Sequence, residues 1–532
     1  MPASFLHGVE TIEVDVGPVP VTVVKSAVIG LVGSAPRWAV PVSNPAGVGA
    51  AETPTLVSSQ RDASMFGPLI RGYSIPYALA AIQEQGAGQA IVVDVFNPSV
   101  HQTLVANQAL TMPASGPQVV NLGHMGIVGP GLAGGTYATT VVVKNSAGTT
   151  TYVENTDYTV DYINGLVTAK TGGAIAAGEA LEISFAYCDP SKVADTDLVG
   201  AVSGGAYTGI QALQLGYSLF GFFPKILIAP AAGMLAAGVQ SAGSQDPAVA
   251  SALTTMASTI RAMALIDAPP ATPVATAISN RALAGNPFDT SSDRAILCFP
   301  WQQFTDEGLN PAGVTISSSG APLTAAMDAT EDSPLSQWTA GAIAAKDAVK
   351  GYWWSPSNTE LSGVLGPDLP LYASVVDPNS DVNNLNAQGI VTTLNTFGTG
   401  LRTWGNRSAA YPASTTPDTF VSVRRTMDII EESVELAMLQ FIDQPISNAL
   451  ISAILASVNS FIRTLIQRGA LVAGSASYNP AENPPAQVSA GQLVFDIDVM
   501  PPPPAERITF NVFVDSGLLA QLGQTNALGA SA

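Results

Sequence analysis

Ala27-Val-Ile-Gly-Leu-Val-Gly33, followed by Pro76-Tyr-Ala-Leu-Ala-Ala-Ile-Gln-Glu-Gln85 and then Ala90-Ile-Val-Val-Asp-Val-Phe96, sets the fold class of this 532-residue chain. The first and third stretches are continuous apolar runs, the pattern of strands buried on both faces of a parallel sheet. The middle stretch has Pro near its start and Gly86 as a stop, so it reads as a short helix. Strand, helix, strand is the opening of an α/β layer. Val21-Thr-Val-Val24 is expected to add a strand just before it. The same pattern resumes at Lys225-Ile-Leu-Ile-Ala-Pro230, and residues 247–263 form a helix striped by Val249, Leu253, Met256 and Ile260. Further strands at 263–267 and 294–299 and a helix at 334–350 complete an α/β core assigned to 21–114 plus 189–401.

Between the halves of this core the texture changes. Residues 115–188 are rich in Thr, Val, Gly and Tyr, with alternating runs such as Thr139-Thr-Val-Val-Val-Lys144, Tyr158-Thr-Val-Asp-Tyr162 and Ala180-Leu-Glu-Ile-Ser-Phe-Ala-Tyr187. Ile163-Asn-Gly-Leu166 is a hairpin signal, because Asn-Gly adopts the turn that matches strand twist. An inserted all-β domain, a small sandwich or barrel, is expected there.

Past the core, residues 402–500 read as an α+β domain. Arg402, Arg407, Arg424 and Arg425 come first, and then Asp428, Glu431, Glu432 and Glu435 open an amphipathic helix reaching about residue 441. Acids in the first turns complement the helix dipole. Alternatively Arg424, Arg425, Glu431, Glu432 and Glu435 form charged contacts between subunits of a lattice. A second helix runs from about 445 to just before Gly469, with Leu450, Ile454, Val458, Phe461 and Leu465 on one stripe. The two helices are expected to cover a sheet that includes Leu493-Val-Phe-Asp-Ile-Asp-Val499.

Each end of the chain carries an isolated strand behind a proline spacer. In arm 1–20, Gly8-Val-Glu-Thr-Ile-Glu-Val-Asp-Val16 places Ile12, Val14 and Val16 on one face, and Gly17-Pro-Val-Pro20 follows. In arm 501–532, Pro501-Pro-Pro-Pro504 precedes Ile508-Thr-Phe-Asn-Val-Phe-Val514, where Ile508, Phe510, Val512 and Val514 alternate. Period-two alternation marks a half-buried strand, and proline tracts are extended spacers. Strands held off their own body are suited to pairing with another chain's sheet edge.

Composition and motifs point the same way. Only 11% of residues are charged, against about 25% in an average soluble domain, which suits a surface covered by neighbours. A net charge of −20 argues against nucleic acid, whose phosphates require clustered Lys and Arg. No signal peptide is expected from Met1-Pro-Ala-Ser-Phe-Leu-His7, and 446–467 carries too many polar groups for a lipid-facing helix, so no membrane is expected. Cys188 and Cys298 read as reduced, buried thiols. His7, His101 and His124 are too scattered for a metal cluster, and no nucleophile elbow or phosphate loop occurs. Gly30-Leu-Val-Gly33 lacks the dinucleotide spacing. Asp377-Pro-Asn-Ser-Asp381 resembles a calcium loop but has Val382 and Gln388 where Gly and Glu are needed, so it reads as an Asx turn. Tyr352-Trp353-Trp354 fits either carbohydrate binding or packing at a domain edge. No catalytic, cofactor or metal residues are expected, and the chain is expected not to be an enzyme.

Taken in order, a series of short segments resembles the sheath subunit of contractile phage tails. They are His7-Gly-Val-Glu10, Ser26-Ala-Val-Ile-Gly-Leu-Val-Gly-Ser-Ala-Pro36, Lys225-Ile-Leu-Ile-Ala-Pro230 and Leu265-Ile-Asp-Ala-Pro269. Trp354-Ser-Pro-Ser-Asn358, Gly363-Val-Leu-Gly366, Leu385-Asn-Ala-Gln-Gly-Ile390 and Gly400-Leu-Arg-Thr-Trp-Gly-Asn-Arg407 continue the series, and Val423-Arg-Arg425 and Pro503-Pro-Ala-Glu506 end it.

The resemblance implies that both arms are donated to neighbouring subunits, through Val9, Ile12, Val14 and Val16 at the front and Ile508, Phe510, Val512 and Val514 at the back. The C-terminal domain would then be completed by strands from neighbours. It implies a homo-oligomer, a helical stack of hexameric rings, around a tail tube protein, with baseplate and tail terminator proteins at its ends. Assembly would occur in the host cytoplasm and the product would be the virion tail sheath. Residues 115–188 depart from the minimal family pattern and would be an outward decoration. The sheath of a phage-derived injection device, pyocin-like or type VI-like, is a related alternative, and a secreted polysaccharide-active protein is a more distant one.

Overall fold

A computed structural model describes residues 21–40, 52–86, 88–132, 137–230, 247–326, 329–395 and 398–521. Its centre is a nine-stranded sheet in the order Thr359–Glu360, Leu401–Trp404, Ile390–Asn395, Ala295–Cys298, Met263–Asp267, Ile226–Ile228, Val28–Gly33, Gln89–Asp94, Thr55–Val57. From Ile390–Asn395 to Gln89–Asp94 the pairs are parallel, with registers such as Ile29↔Ile226 and Leu265↔Ile296. Antiparallel strands close both edges.

Alternation along the buried runs feeds two cores. Ile29, Leu31, Val92 and Leu265 face the helices Ser74–Glu84 and Leu335–Lys350. Val28, Val32, Ile91 and Leu227 face the helix Pro247–Ile260, whose Val249, Leu253, Met256 and Ile260 are buried as the stripe predicts. Each fully buried Ile or Leu is worth about 1.5–3 kcal/mol relative to exposure, so the apolar runs at 28–33 and 89–94 hold the molecule's centre.

The predicted strand at 21–24 does not form. Val24 N–H instead donates to Ser433 Oγ at 3.2 Å, and the chain enters the sheet only at Val28. The sheet also extends past residue 401, where a C-terminal unit was expected to begin, because Leu401–Trp404 pairs with Ile390–Asn395.

Antiparallel structure starts at Gln102, earlier than residue 115. Gln102–Thr111, Ala180–Cys188 and Val142–Asn145 make one three-stranded sheet, and Val119–Asn121, Leu166–Ala169 and Tyr158–Asp161 make another. The Asn-Gly turn lies between Tyr158–Asp161 and Leu166–Ala169. Asp161 Oδ1 accepts from the N–H groups of Ile163 and Asn164, and Gly165 has φ +69°. This region shares its core with the α/β layer: Trp38, Tyr73 and Phe96 are buried in one cluster with Ile127, Tyr162 and Phe185. Gly126, at φ +69°, lies flat against Trp38, where a Cβ would come within 2.7 Å of the indole. A hairpin of Leu309–Ile316 with Pro322–Ala326, absent from the sequence expectations, also leans on it through Met125 N–H to Pro311 O at 2.9 Å.

Downstream lie the helices Val421–Met438 and Asn448–Arg468 and a two-stranded antiparallel sheet of Ala473–Ser477 with Asp496–Met500. The second helix has Ser447 as N-cap, accepting from Leu450 N–H, and ends at left-handed Gly469. By length and composition it could cross a membrane. Here its stripe, Val458, Phe461, Ile462 and Leu465, is buried with Leu471 and Ala476 of the sheet.

Candidate subunit interface

Ile508, Phe510, Val512 and Val514 belong to no strand. After Met500 the chain has no assigned secondary structure until a short 3-10 turn at Ser516–Gln521. Their side chains are exposed, Phe510 by 83% and Val512 by 86%. The predicted strand 508–514 therefore lacks a partner among the described residues of its own chain, although its alternation is intact. Val9, Ile12, Val14 and Val16 fall outside the described residues.

A few residues upstream lies a sheet with a free edge. Ala473–Ser477 and Asp496–Met500 pair with each other in the register Gly474↔Val499 and Ala476↔Ile497, and among the described residues with no third strand. A two-stranded sheet is marginal by itself, and here the helix Asn448–Arg468 backs it. Gly474 allows the close approach: a Cβ there would lie 2.7 Å from Val499 Cγ1, 2.8 Å from Asp498 O and 3.2 Å from Ile462 Cγ2.

The two edges are not equivalent. Asn459 of the helix donates from Nδ2 to Ala476 O and accepts at Oδ1 from Ala476 N–H, both at 2.9 Å. Its amide thus occupies the outward backbone groups of Ala476 on the 473–477 edge. Antiparallel alternation turns the N–H and C=O of the opposite residues, Ile497 and Val499, to the other edge. That edge, 496–500, has no such clasp among the described residues. Ile497 and Met500 are part of its exposed surface.

The spacer between sheet and arm is fixed at one end. Arg407 Nη2 meets Glu506 Oε2 at 2.7 Å and Arg407 Nε donates to Oε1 at 3.2 Å. Arg407 Nη1 donates to Thr419 Oγ1 at 2.7 Å, and the guanidinium lies 3.5 Å from the Phe420 ring centre.

Helix Val421–Met438 begins earlier than the charge pattern suggested, so no acidic residue is in its first turn and the dipole reading of its acids fails. They pair instead with cations of the α/β body. Asp428 takes a two-pronged contact from Arg294 at 2.7 and 2.8 Å, Glu435 one from Arg261 at 2.5 and 2.7 Å, and Glu432 meets the buried Lys225. Arg424 reaches Asp428 and Glu431, while Arg425 holds Asp347 at 2.6 and 2.9 Å and Ser26 O at 3.1 Å. The Arg261 hydrogen bonds hold the Glu435 carboxyl below its usual range, and burial lowers the Lys225 ammonium. Arg424, Arg425, Glu431, Glu432 and Glu435 are thus engaged within their own chain, joining the helix to the sheet.

Other singled-out residues are structural. Tyr352 is buried, and Trp353 stands edge-on to it at 5.1 Å and packs on the C-terminal core, so these two are domain-edge packing, while Trp354 is exposed beneath the Lys350 ammonium. Asp377 closes an Asx turn to Asn379 N–H at 2.9 Å, and Ser380 caps the helix Asp381–Asn386. Burial raises both cysteine thiols. Arg407, Glu506, Asn459 and Gly474 were not singled out for roles in the sequence. Arg407 and Glu506 stand 99 positions apart, and no local pattern links them.

Two family models match the chain: "Phage tail sheath protein central domain" over residues 205–409 and "Phage tail sheath C-terminal domain" over 414–515. The tail sheath protein of Burkholderia phage BcepMu is 42% identical over 525 residues, covering 98% of this chain and 99% of that protein. The tail sheath protein of Escherichia phage P2 is 25% identical over 337 residues, 63% of this chain and 75% of the relative. Among solved structures, the helical sheath of the anti-feeding prophage in its contracted state superposes with a TM-score of 0.53 at 15% identity, covering 96% of this chain and 100% of that one. The sheath complex of an extracellular contractile injection system, also contracted, gives 0.50 at 14% identity, covering 97% and 99%.

Proposed function

The chain belongs to the phage tail sheath family, and on that premise we propose that it is the structural subunit of a contractile tail sheath, polymerising helically around a tail tube and driving it through the host envelope. One observation carries the assembly mode: among the described residues the chain holds both an apolar alternating arm without a partner and a sheet with an unclasped edge. The two cannot satisfy each other within one subunit. Pairing the arm beside its own strand 496–500 needs a tight reversal, and Pro501 to Pro504 form an extended spacer of roughly 12 Å instead. The arm of one subunit therefore adds to the 496–500 edge of another, through main-chain hydrogen bonds, with Phe510 and Val512 supplying apolar contacts. The N-terminal arm, through Val9, Ile12, Val14 and Val16, is donated in the same manner.

Head-to-tail contacts whose rotation does not close build helical polymers. Proline spacers let the α/β bodies exchange packing contacts while the strands stay joined. Energy for contraction resides in a trapped extended lattice, with no nucleotide involved. We place the product in the virion tail after assembly in the host cytoplasm, as hexameric rings contacting the tube, baseplate and terminator proteins, and we assign the antiparallel region beginning at Gln102 to the outer surface. Likeness to injection-device sheaths is one of fold; relatives by sequence are phage and prophage sheath proteins.

Removing residues 507–532 tests the reading. The truncated subunit should fold with unchanged circular dichroism and form no long striated tubes in electron micrographs. Removing residues 1–20 should do the same. Long sheaths from either truncation would overturn strand donation.

A further inference from the structure

Arg407, bridged to Phe420, and Glu506 lie outside the named strands, yet among the described residues theirs is the last hold the body has on the arm. Upstream, Pro501 is buried and Pro502 and Pro504 are half-buried. Downstream, every residue from Arg507 to Ala520 is exposed. Between them the Glu506 carboxylate receives both the Nε and Nη2 groups of Arg407. Arg407 is itself held on two further sides, by Thr419 Oγ1 and by the face of Phe420, and its side chain is 13% exposed against 46% for Glu506. A guanidinium fixed in this way presents a forked pair of donors in one orientation, which a lysine does not. It follows the strand Leu401–Trp404 of the nine-stranded sheet, whereas Glu506 follows the two-stranded sheet.

We propose that Arg407 is a positioning residue that sets where and in what direction the C-terminal arm leaves the body, and that it ties the arm to the α/β sheet. A pull on the donated strand would then reach the α/β body through Arg407 without first loading the two strands that receive a neighbour. Without the pair, the hold on the arm retreats toward the buried Pro501, and the arm gains the residues between it and Glu506 as slack. The mechanical role rests on the sheath reading; the anchoring does not, and it is measured on the unassembled subunit.

Trypsin reads it directly, because Arg507 is the residue after the clamp and a protease must draw the flanking chain into its cleft. Arg407→Gln leaves the cleaved sequence untouched. It should speed cleavage after Arg507 roughly 5- to 10-fold, as expected when a local tether is released. Cleavage after Lys170, in a turn of the antiparallel region, should keep its wild-type rate. Arg407→Lys, which keeps charge but loses the fork, should fall between. Sodium chloride at about 0.5 M should speed the wild-type cleavage and leave Arg407→Gln unchanged, since salt screens the half-exposed pair. An unchanged rate after Arg507 in Arg407→Gln, or an equal rise at Lys170, would overturn the proposal. Neither result depends on whether sheaths form.

Discussion

Asp267 closes the strand Met263–Asp267 with a carboxyl buried inside the body, where Oδ1 accepts from Ser336 N–H at 2.8 Å in the first turn of helix Leu335–Lys350. Burial pushes its pKa up to about 7, against the lowering effect of the Ser336 hydrogen bonds. In the unfolded chain the group titrates near an ordinary aspartate, about 3.9. Between those values the folded state holds the proton and the unfolded state does not, so this group's contribution to stability falls as pH rises from about 4 to 7, by on the order of 1.4 kcal/mol per pH unit at most. Asp267→Asn keeps an acceptor for Ser336 and removes the titration. Urea midpoints of the unassembled subunit at several pH values should show the variant gaining on wild type across that window; a constant difference would place the titration elsewhere. Lys225 presents the opposite case, a cation only 4% exposed whose charge is sustained by Glu432.

At the level of elements, the C-terminal unit depends on how closely its sheet approaches its helix. Gly474→Val would drive a side chain into Val499, Asp498 O and Ile462, costing about 1–3 kcal/mol as overpacking does. Hydrogen exchange should show lost protection at 496–500 with the nine-stranded sheet unchanged; equal loosening of both would mean that they unfold as one unit. The helix over this sheet was legible in sequence because Leu450, Ile454, Val458, Phe461 and Leu465 repeat at helical spacing and Gly469 stops them. Strands 28–33, 89–94 and 263–267 were legible as apolar runs. Helix Val421–Met438 was placed late because its first turns hold Arg424 and Arg425; Asp428 is a local partner four residues on, but Asp347, the partner of Arg425, is met only once the chain is folded. The hairpin at 309–326 escaped notice since Pro311 and Gly313 interrupt its pattern and its register is bulged. Val21 to Val24 alternates like a strand but pairs with no strand among the described residues, as local pattern cannot supply a partner. Arg407 and Glu506 each end a segment of the resemblance, but their pairing, like the bond of Asn459 to Ala476, is a contact that no local pattern announces.

On the scale of the molecule, the antiparallel region is not an appendage on a tether. Gln102 and Cys188 are register partners, so its ends enter and leave side by side, and a short glycine bridge could replace residues 103–187. Yet Trp38, Tyr73 and Phe96 of the α/β layer are covered by it. The deletion should therefore produce a subunit that binds a dye for exposed apolar surface and unfolds at lower urea; a deletion tolerated without either change would make the region a peripheral addition. The alignment with the BcepMu protein, spanning 98% of the chain, includes this region. The clasp of Asn459 on Ala476 has a consequence for bookkeeping of another kind, that of valency. With the Ala476 groups of one rim occupied from within, an incoming strand would meet the unclasped backbone groups of the 496–500 side. If both arms are donated as proposed, each subunit gives two strands and its sheet receives two, so the joints make a mesh in which the strand docked first supplies a new rim for the second.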